Sequence, residues 1–158
     1  MNKLITLVAT ALLIIGAGTA KAQDNVNIGK SNIKLNSRMM TPEALWAMGR
    51  IGGVAASPNG SQVVYQVGYY SVKQNKGHQV ICIMNADGSQ QRQLTTSSKS
   101  ETDPVWLNAE TIAFNCGGEI WTMKADGSDR QQLTKTGGKV EGFKFSPDGT
   151  KVILIQSM

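Results

Sequence analysis

The sequence has one histidine, two cysteines and no block of like charge. Each shortage excludes a class of function. His78 stands in a Gly/Lys-rich stretch with no second His or Cys at metal-ligand spacing, and reads as an exposed loop histidine. A general base needs a nucleophile within hydrogen-bond reach, and none can be nominated for it. The basic residues are scattered, with no cluster of five, which argues against a nucleic-acid partner. Past Gly18 no apolar run is long enough to cross a bilayer.

The only long apolar run is at the start. Lys3 leads into an apolar stretch from Leu4 to Gly18, followed by Ala20-Lys21-Ala22. That order is a secretory signal, with residues 1–22 removed and Gln23 as the mature N-terminus. Its short, Lys-led form points to a bacterial periplasmic or secreted protein. No lipobox cysteine follows, which argues against a lipid anchor. Cleavage takes Lys3 and Lys21 away and lowers the formal charge from +5 to +3.

The remaining sequence repeats itself. Ile83-Met84-Asn85-Ala86-Asp87-Gly88-Ser89, ending in Gln93-Leu94-Thr95, returns 39 residues later as Thr122-Met123-Lys124-Ala125-Asp126-Gly127-Ser128 and Gln132-Leu133-Thr134. Ser57-Pro58-Asn59-Gly60 returns as Ser146-Pro147-Asp148-Gly149, 89 residues on. That is two periods of about 44, in the range of propeller blades. Asp-Gly marks hairpin turns, and Pro followed by Asn/Asp-Gly marks wider ones. Asn108-Ala109-Glu110 is a degenerate copy of the second kind. Between the turns lie ten predicted strands, beginning with Val54–Ala56, Gln62–Gly68 and Gln79–Asn85. Several are apolar on both faces, as in a sheet sandwiched between two others.

The fold class is therefore all-β: a partial β-propeller of about two and a half four-stranded antiparallel blades, after a signal peptide and one short helix. The expected divisions are the signal at 1–22, a flexible lead-in at 23–40, a helix at 41–50, blade one at 51–95, blade two at 96–134 and an incomplete blade three at 135–158. The helix begins at Thr41-Pro42-Glu43, a favourable N-cap, first residue and first-turn acid, and Gly49 is expected to end it. Cys82 and Cys116 fall on strands that are not neighbours, so two separate buried thiols are expected rather than a disulfide.

The chemical candidates reduce to scaffold. Ser57 and Ser146 each open a repeated turn, which a catalytic serine would not do. Asp87, Asp126 and Asp148 are explained by turn formation, and Asp126-Gly127-Ser128-Asp129 lacks the spacing of a calcium loop. The Asn59-Gly60-Ser61 sequon also lies in a turn. Trp46, Trp106 and Trp121 are expected in core or inter-blade packing. Glu101 and Asp103 stand at a strand edge with no role assigned. No catalytic, cofactor-binding or metal-binding residue is expected, and no cofactor.

The Ser-Pro-Asp-Gly … Ala-Asp-Gly-Ser … Leu-Thr repeat resembles the TolB-type, WD-like propeller repeat, without the Gly-His and Trp-Asp marks of true WD repeats. Met40-Thr41-Pro42-Glu43-Ala44-Leu45-Trp46, then Arg50-Ile51-Gly52-Gly53-Val54-Ala55-Ala56-Ser57-Pro58-Asn59-Gly60, resembles the start of the propeller in secreted bacterial serine peptidases. These are the prolyl oligopeptidase family, on its acylaminoacyl peptidase and dipeptidyl peptidase branch, and the resemblance covers residues 40–158. It implies an N-terminal propeller of about seven or eight blades that caps an α/β-hydrolase domain and admits short peptides. It also implies a nucleophile on a Gly-x-Ser-x-Gly elbow followed by Asp and His. No such elbow occurs here, so no residue inherits a catalytic role. Two alternatives stand beside a peptidase propeller: a TolB-like periplasmic propeller that binds proteins, and a small β-domain that works by oligomerising. Expected partners are peptides, met through a catalytic half, and further copies of the chain joined at the Lys151–Ile155 edge. No nucleic acid is expected, and no membrane after signal cleavage.

Overall fold

The computed structural model describes residues 28–34 and 39–157. The signal at 1–22, its cleavage site and the rest of the lead-in lie outside the described residues. Helix α1 (Pro42–Ala47) is capped as expected: the Thr41 hydroxyl accepts from the Ala44 N–H at 3.2 Å. The helix is left at Met48 in extended backbone. Gly49 is not a left-handed cap. It lets the chain pass close to β2, where a Cβ would meet Val67 Cγ1 at 2.9 Å.

Ten strands follow in three antiparallel sheets. β1 (Arg50–Ala56), β2 (Gln62–Ser71), β3 (Lys76–Asn85) and β4 (Arg92–Gln93) form sheet one in that order. β5 (Glu101–Trp106), β6 (Thr111–Cys116), β7 (Glu119–Lys124) and β8 (Gln131–Gln132) form sheet two. β9 (Val140–Phe145) and β10 (Val152–Gln156) form sheet three. β1 begins earlier than its apolar residues suggest because Gly52-Gly53 is a bulge within the strand rather than a loop before it. β5 does the same around Asp103-Pro104. β4 and β8 stop early for one reason. The Thr95 and Thr134 hydroxyls take the N–H groups of Ile81 and Ile120, both at 2.9 Å. A side chain replaces a ladder bond, which explains why Leu-Thr recurs.

Repeated residues do repeated work at the turns as well. Gly60 and Gly149 both adopt φ of 69°. Ser57 and Ser146 accept the Gly60 and Gly149 N–H groups on their carbonyls at 2.8 Å. The degenerate turn survives because Asn108 Oδ1 accepts from both Glu110 N and Thr111 N at 2.9 Å.

β6 shows why simple alternation is missing. Its residues Ile112, Phe114 and Cys116 pack with Val64, Ile81 and Ile83 of sheet one. Ala113, between them, packs the other way with Val140 of sheet three. Burial on both faces makes sheet two the middle layer of a stack, the relation between neighbouring propeller blades. The Trp106 indole seals the first interface by donating to the Ala55 carbonyl at 3.1 Å. Arg92 seals its rim, donating to the Ala125 and Asp126 carbonyls at 2.9 and 3.1 Å.

Candidate functional site

The residues that carry chemical potential in the sequence are held in turns. Ser57 Oγ donates to Asn59 Oδ1 at 2.7 Å and accepts from Gln62 N at 2.9 Å. Ser146 Oγ donates to Asp148 and accepts from Lys151 N at 3.0 Å. Asp148 is held down at about 2 by the Ser146 and Thr150 hydroxyls and the Thr150 N–H. Asp87 and Asp126 are lowered mainly by Ser89 and Ser128. Among the described residues no group of three His, Cys, Asp or Glu side chains is placed to hold a metal ion. Cys82 and Cys116 are both free and buried.

Two expectations are corrected. His78 is not in a loop: it lies in β3 opposite Tyr69 and is 8% exposed. The β2–β3 hairpin runs out to Ser71 and Lys76, so the Gly/Lys stretch is strand. Trp46 is not core. It is exposed on α1, its ring 4.8 Å from Tyr70 and covered by the Arg50 guanidinium at 4.7 Å. Glu101 opens β5, the edge strand of sheet two. It is fully buried and paired with Arg130, while Asp103 beside it is exposed at the bulge. Trp106 and Trp121 do pack against the core between sheets one and two.

Two carboxylates that hold the layers together are not visible in the repeat. Glu101 receives Arg130, whose guanidinium crosses sheet two 5.0 Å from the Phe114 ring centroid and 4.9 Å from that of Trp121. Glu119 organises the link to sheet three. Its Oε2 accepts from Thr134 Oγ1 at 2.6 Å. Its Oε1 accepts from Thr136 N at 2.6 Å, Thr136 Oγ1 at 3.1 Å and Gly138 N at 2.9 Å. These donors, the Thr134 hydroxyl foremost, lower Glu119 from 4.5 to about 2. The unfolded chain then binds this proton more readily, so the stabilisation is complete above about pH 4.5 and is lost as pH falls toward 2. Acid titration followed by hydrogen exchange should show residues 135–156 loosening in that window. Glu119→Gln should flatten the pH dependence without abolishing it, because Asp148 titrates in the same direction. An unchanged profile in the variant would remove Glu119 from this role.

A concave feature lies between α1 and the end of the β2–β3 hairpin. It is a cavity of about 380 Å³, mainly apolar, walled by Ile33, Pro42, Trp46, Tyr69, Tyr70 and Val72, with Glu43 also on its lining.

Four-stranded antiparallel sheets paired in sequence order and stacked face to face define the chain as part of a β-propeller. No family model matches the chain. A protein named Dipeptidyl-peptidase 5 from Porphyromonas endodontalis is 33% identical over 155 residues, covering 95% of this chain and 22% of the relative. A protein of the same name from Porphyromonas gingivalis is 34% identical over 163 residues, covering 100% of this chain and 22% of the relative. The chain thus spans about a fifth of the length of these curated relatives. Among solved structures, Pyrococcus horikoshii acylaminoacyl peptidase matches with a TM-score of 0.57 and 13% identity, over 71% of this chain and 18% of that one. TolB from Acinetobacter baumannii matches with a TM-score of 0.55 and 22% identity, over 67% of this chain and 26% of that one. These structural likenesses speak for the fold. The sequence likeness agrees with the resemblance to the propeller portion of the dipeptidyl and acylaminoacyl peptidases.

Proposed function

We propose that this chain is the propeller portion of an exported serine peptidase of the prolyl oligopeptidase family, one that acts on short peptides. Its blades cap and gate an α/β-hydrolase domain carried outside these residues. The observation that carries the reading is the 33% identity to a dipeptidyl peptidase across 95% of the chain. Ser-His-Asp acyl transfer belongs to the hydrolase domain, and residues 50–156 supply wall and channel. Export follows from Lys3, the Leu4–Gly18 run and Ala20-Lys21-Ala22. Sequencing the gene beyond the codon for Met158 tests the proposal. In-frame Pro-Asp-Gly repeats leading to a Gly-x-Ser-x-Gly elbow are expected. Repeats that end at a stop with no elbow would overturn the peptidase reading in favour of a TolB-like protein-binding propeller.

The chain on its own is proposed to self-associate through sheet three. Ile153 and Ile155 are 72% and 62% exposed on β10, an edge strand with free backbone groups. Exposed apolar edges invite pairing. Light scattering should give a mass that rises with concentration, and Ile153→Lys should bring it down toward the monomer. A concentration-independent monomer for the parent chain would refute this.

A further inference from the structure

Helix α1 and the outer half of the β2–β3 hairpin are the parts of the chain that the repeat does not account for. β2 and β3 have 10 residues each, against 6 each for β6 and β7. The added length carries Tyr69 and Tyr70 out to meet Trp46, with the Trp46 and Tyr70 rings tilted at 39°. The Tyr70 hydroxyl is pinned by Asn75 Oδ1 within the hairpin turn. The result is the 380 Å³ cavity. Insertions confined to one repeat collect on the binding face of repeat proteins, and a mostly apolar cavity of this size suits a small ligand or one side chain.

No basic side chain lies on the lining itself, but the charged residues next to it in sequence are mostly basic. Lys30 and Lys34 flank the wall residues Ser31 and Ile33, and Lys73 and Lys76 flank the hairpin turn. The Arg50 guanidinium lies over Trp46. These five cations are exposed, and among the described residues none of them forms an ion pair. Glu43, in the first turn of α1, is the single acid on the lining.

We propose that this pocket binds an amphipathic carboxylate. An aromatic or branched aliphatic group enters between Trp46, Tyr69 and Tyr70, and its anion meets the basic rim. The C-terminal residue of a peptide and a free aromatic acid share this chemistry. The inference does not depend on the peptidase reading, since the cavity is built by the lead-in, α1 and the β2–β3 hairpin of this chain.

Isothermal titration calorimetry of the protein tests it with four probes: 3-phenylpropionate, its neutral amide, phenethylamine, and the peptide Gly-Gly-Phe with a free C-terminus. The carboxylates should bind about fivefold more tightly than the amide, and the preference should shrink at about 0.5 M salt. Trp46→Ala should abolish binding. Lys73→Gln with Lys76→Gln should weaken the carboxylates and leave the amide unchanged, a discrimination that misfolding would not produce. Tighter binding of the peptide identifies a chain terminus as the source, and tighter binding of phenylpropionate a free acid. Absence of binding by every probe, equal or stronger binding of the amide or amine, or a lysine pair whose loss affects all probes alike would overturn the proposal.

Discussion

Replacing Arg130 with alanine should cost about 3–5 kcal/mol of stability, a large share of the roughly 5–15 kcal/mol that holds a domain together. The reason is Glu101. Its side chain is fully buried, and Arg130 is its ion-pair partner. Arg130 reaches it from the residue before β8 by crossing Phe114 and Trp121. Without the guanidinium the carboxylate is stranded in the interface between sheets one and two, and the aromatic faces lose their cover. Among the described residues Glu101 Oε2 and Trp121 Nε1 are buried without hydrogen-bond partners, and a neutral indole N–H cannot replace the charge of the guanidinium. Glu101→Gln removes the charge but keeps the shape, and should cost less, about 1–3 kcal/mol. Converting the pair together, Glu101→Leu with Arg130→Met, should recover most of the loss, because apolar packing replaces a buried ion pair at little cost. Urea unfolding followed by tryptophan fluorescence separates these cases. If Arg130→Ala changed stability by less than about 0.5 kcal/mol, the pair would be an ordinary solvent-exposed one.

Gly118→Ala should be nearly as damaging, and in a different place. Gly117 and Gly118 form the two-residue turn between β6 and β7, with φ of 64° and 74°. Such hairpins favour residues that accept positive φ at both positions. At Gly118 there is a second demand. A Cβ would stand 2.0 Å from the Gly138 oxygen and 2.3 Å from its carbonyl carbon. Backbone lies against backbone there because Val140 N donates to the Gly118 carbonyl at 3.0 Å, tying β9 to the turn. Alanine must push the 135–139 link away and break the hold of Glu119 on Thr136 and Gly138. Left-handed strain and overpacking together suggest a loss of about 2–5 kcal/mol. Gly117→Ala is the control. A Cβ there meets only the flexible end of Lys99, so the strain alone remains, about 1–2 kcal/mol. Hydrogen exchange should show residues 140–156 losing protection first in Gly118→Ala while sheet one keeps its own. Equal effects from the two alanines would mean that the approach to Gly138 is not the constraint.

The propeller character was legible because side chains at repeated positions perform repeated local tasks. Asp87 and Asp126 cap the N–H groups of Ser89 and Ser128 at 2.9 and 2.8 Å, and Thr95 and Thr134 close the outer strands. Tasks within a turn leave a mark in the spacing of residues. Tasks between sheets do not. Glu101 and Arg130 lie 29 residues apart with no local pattern linking them, and the outcome depends on a side chain crossing a sheet face. Glu119 left one faint signal, an acid opening a strand whose next two residues, Ile120 and Trp121, are apolar. His78 and Trp46 were misplaced for a shared reason: the long hairpin and α1 depart from the repeat, so the repeat could not locate them.

The most direct test of the central claim is activity-based labelling in cells that express this gene. Exported proteins are treated with a biotinylated fluorophosphonate, which modifies active serine hydrolases, and the captured polypeptides are digested and sequenced by mass spectrometry. The account predicts that peptides from residues 50–156 are recovered from a captured polypeptide well above the 16.9 kDa of this chain, together with a labelled serine in a Gly-x-Ser-x-Gly segment. Recovery of those peptides only from uncaptured protein, with the gene expressed and exported, would contradict it.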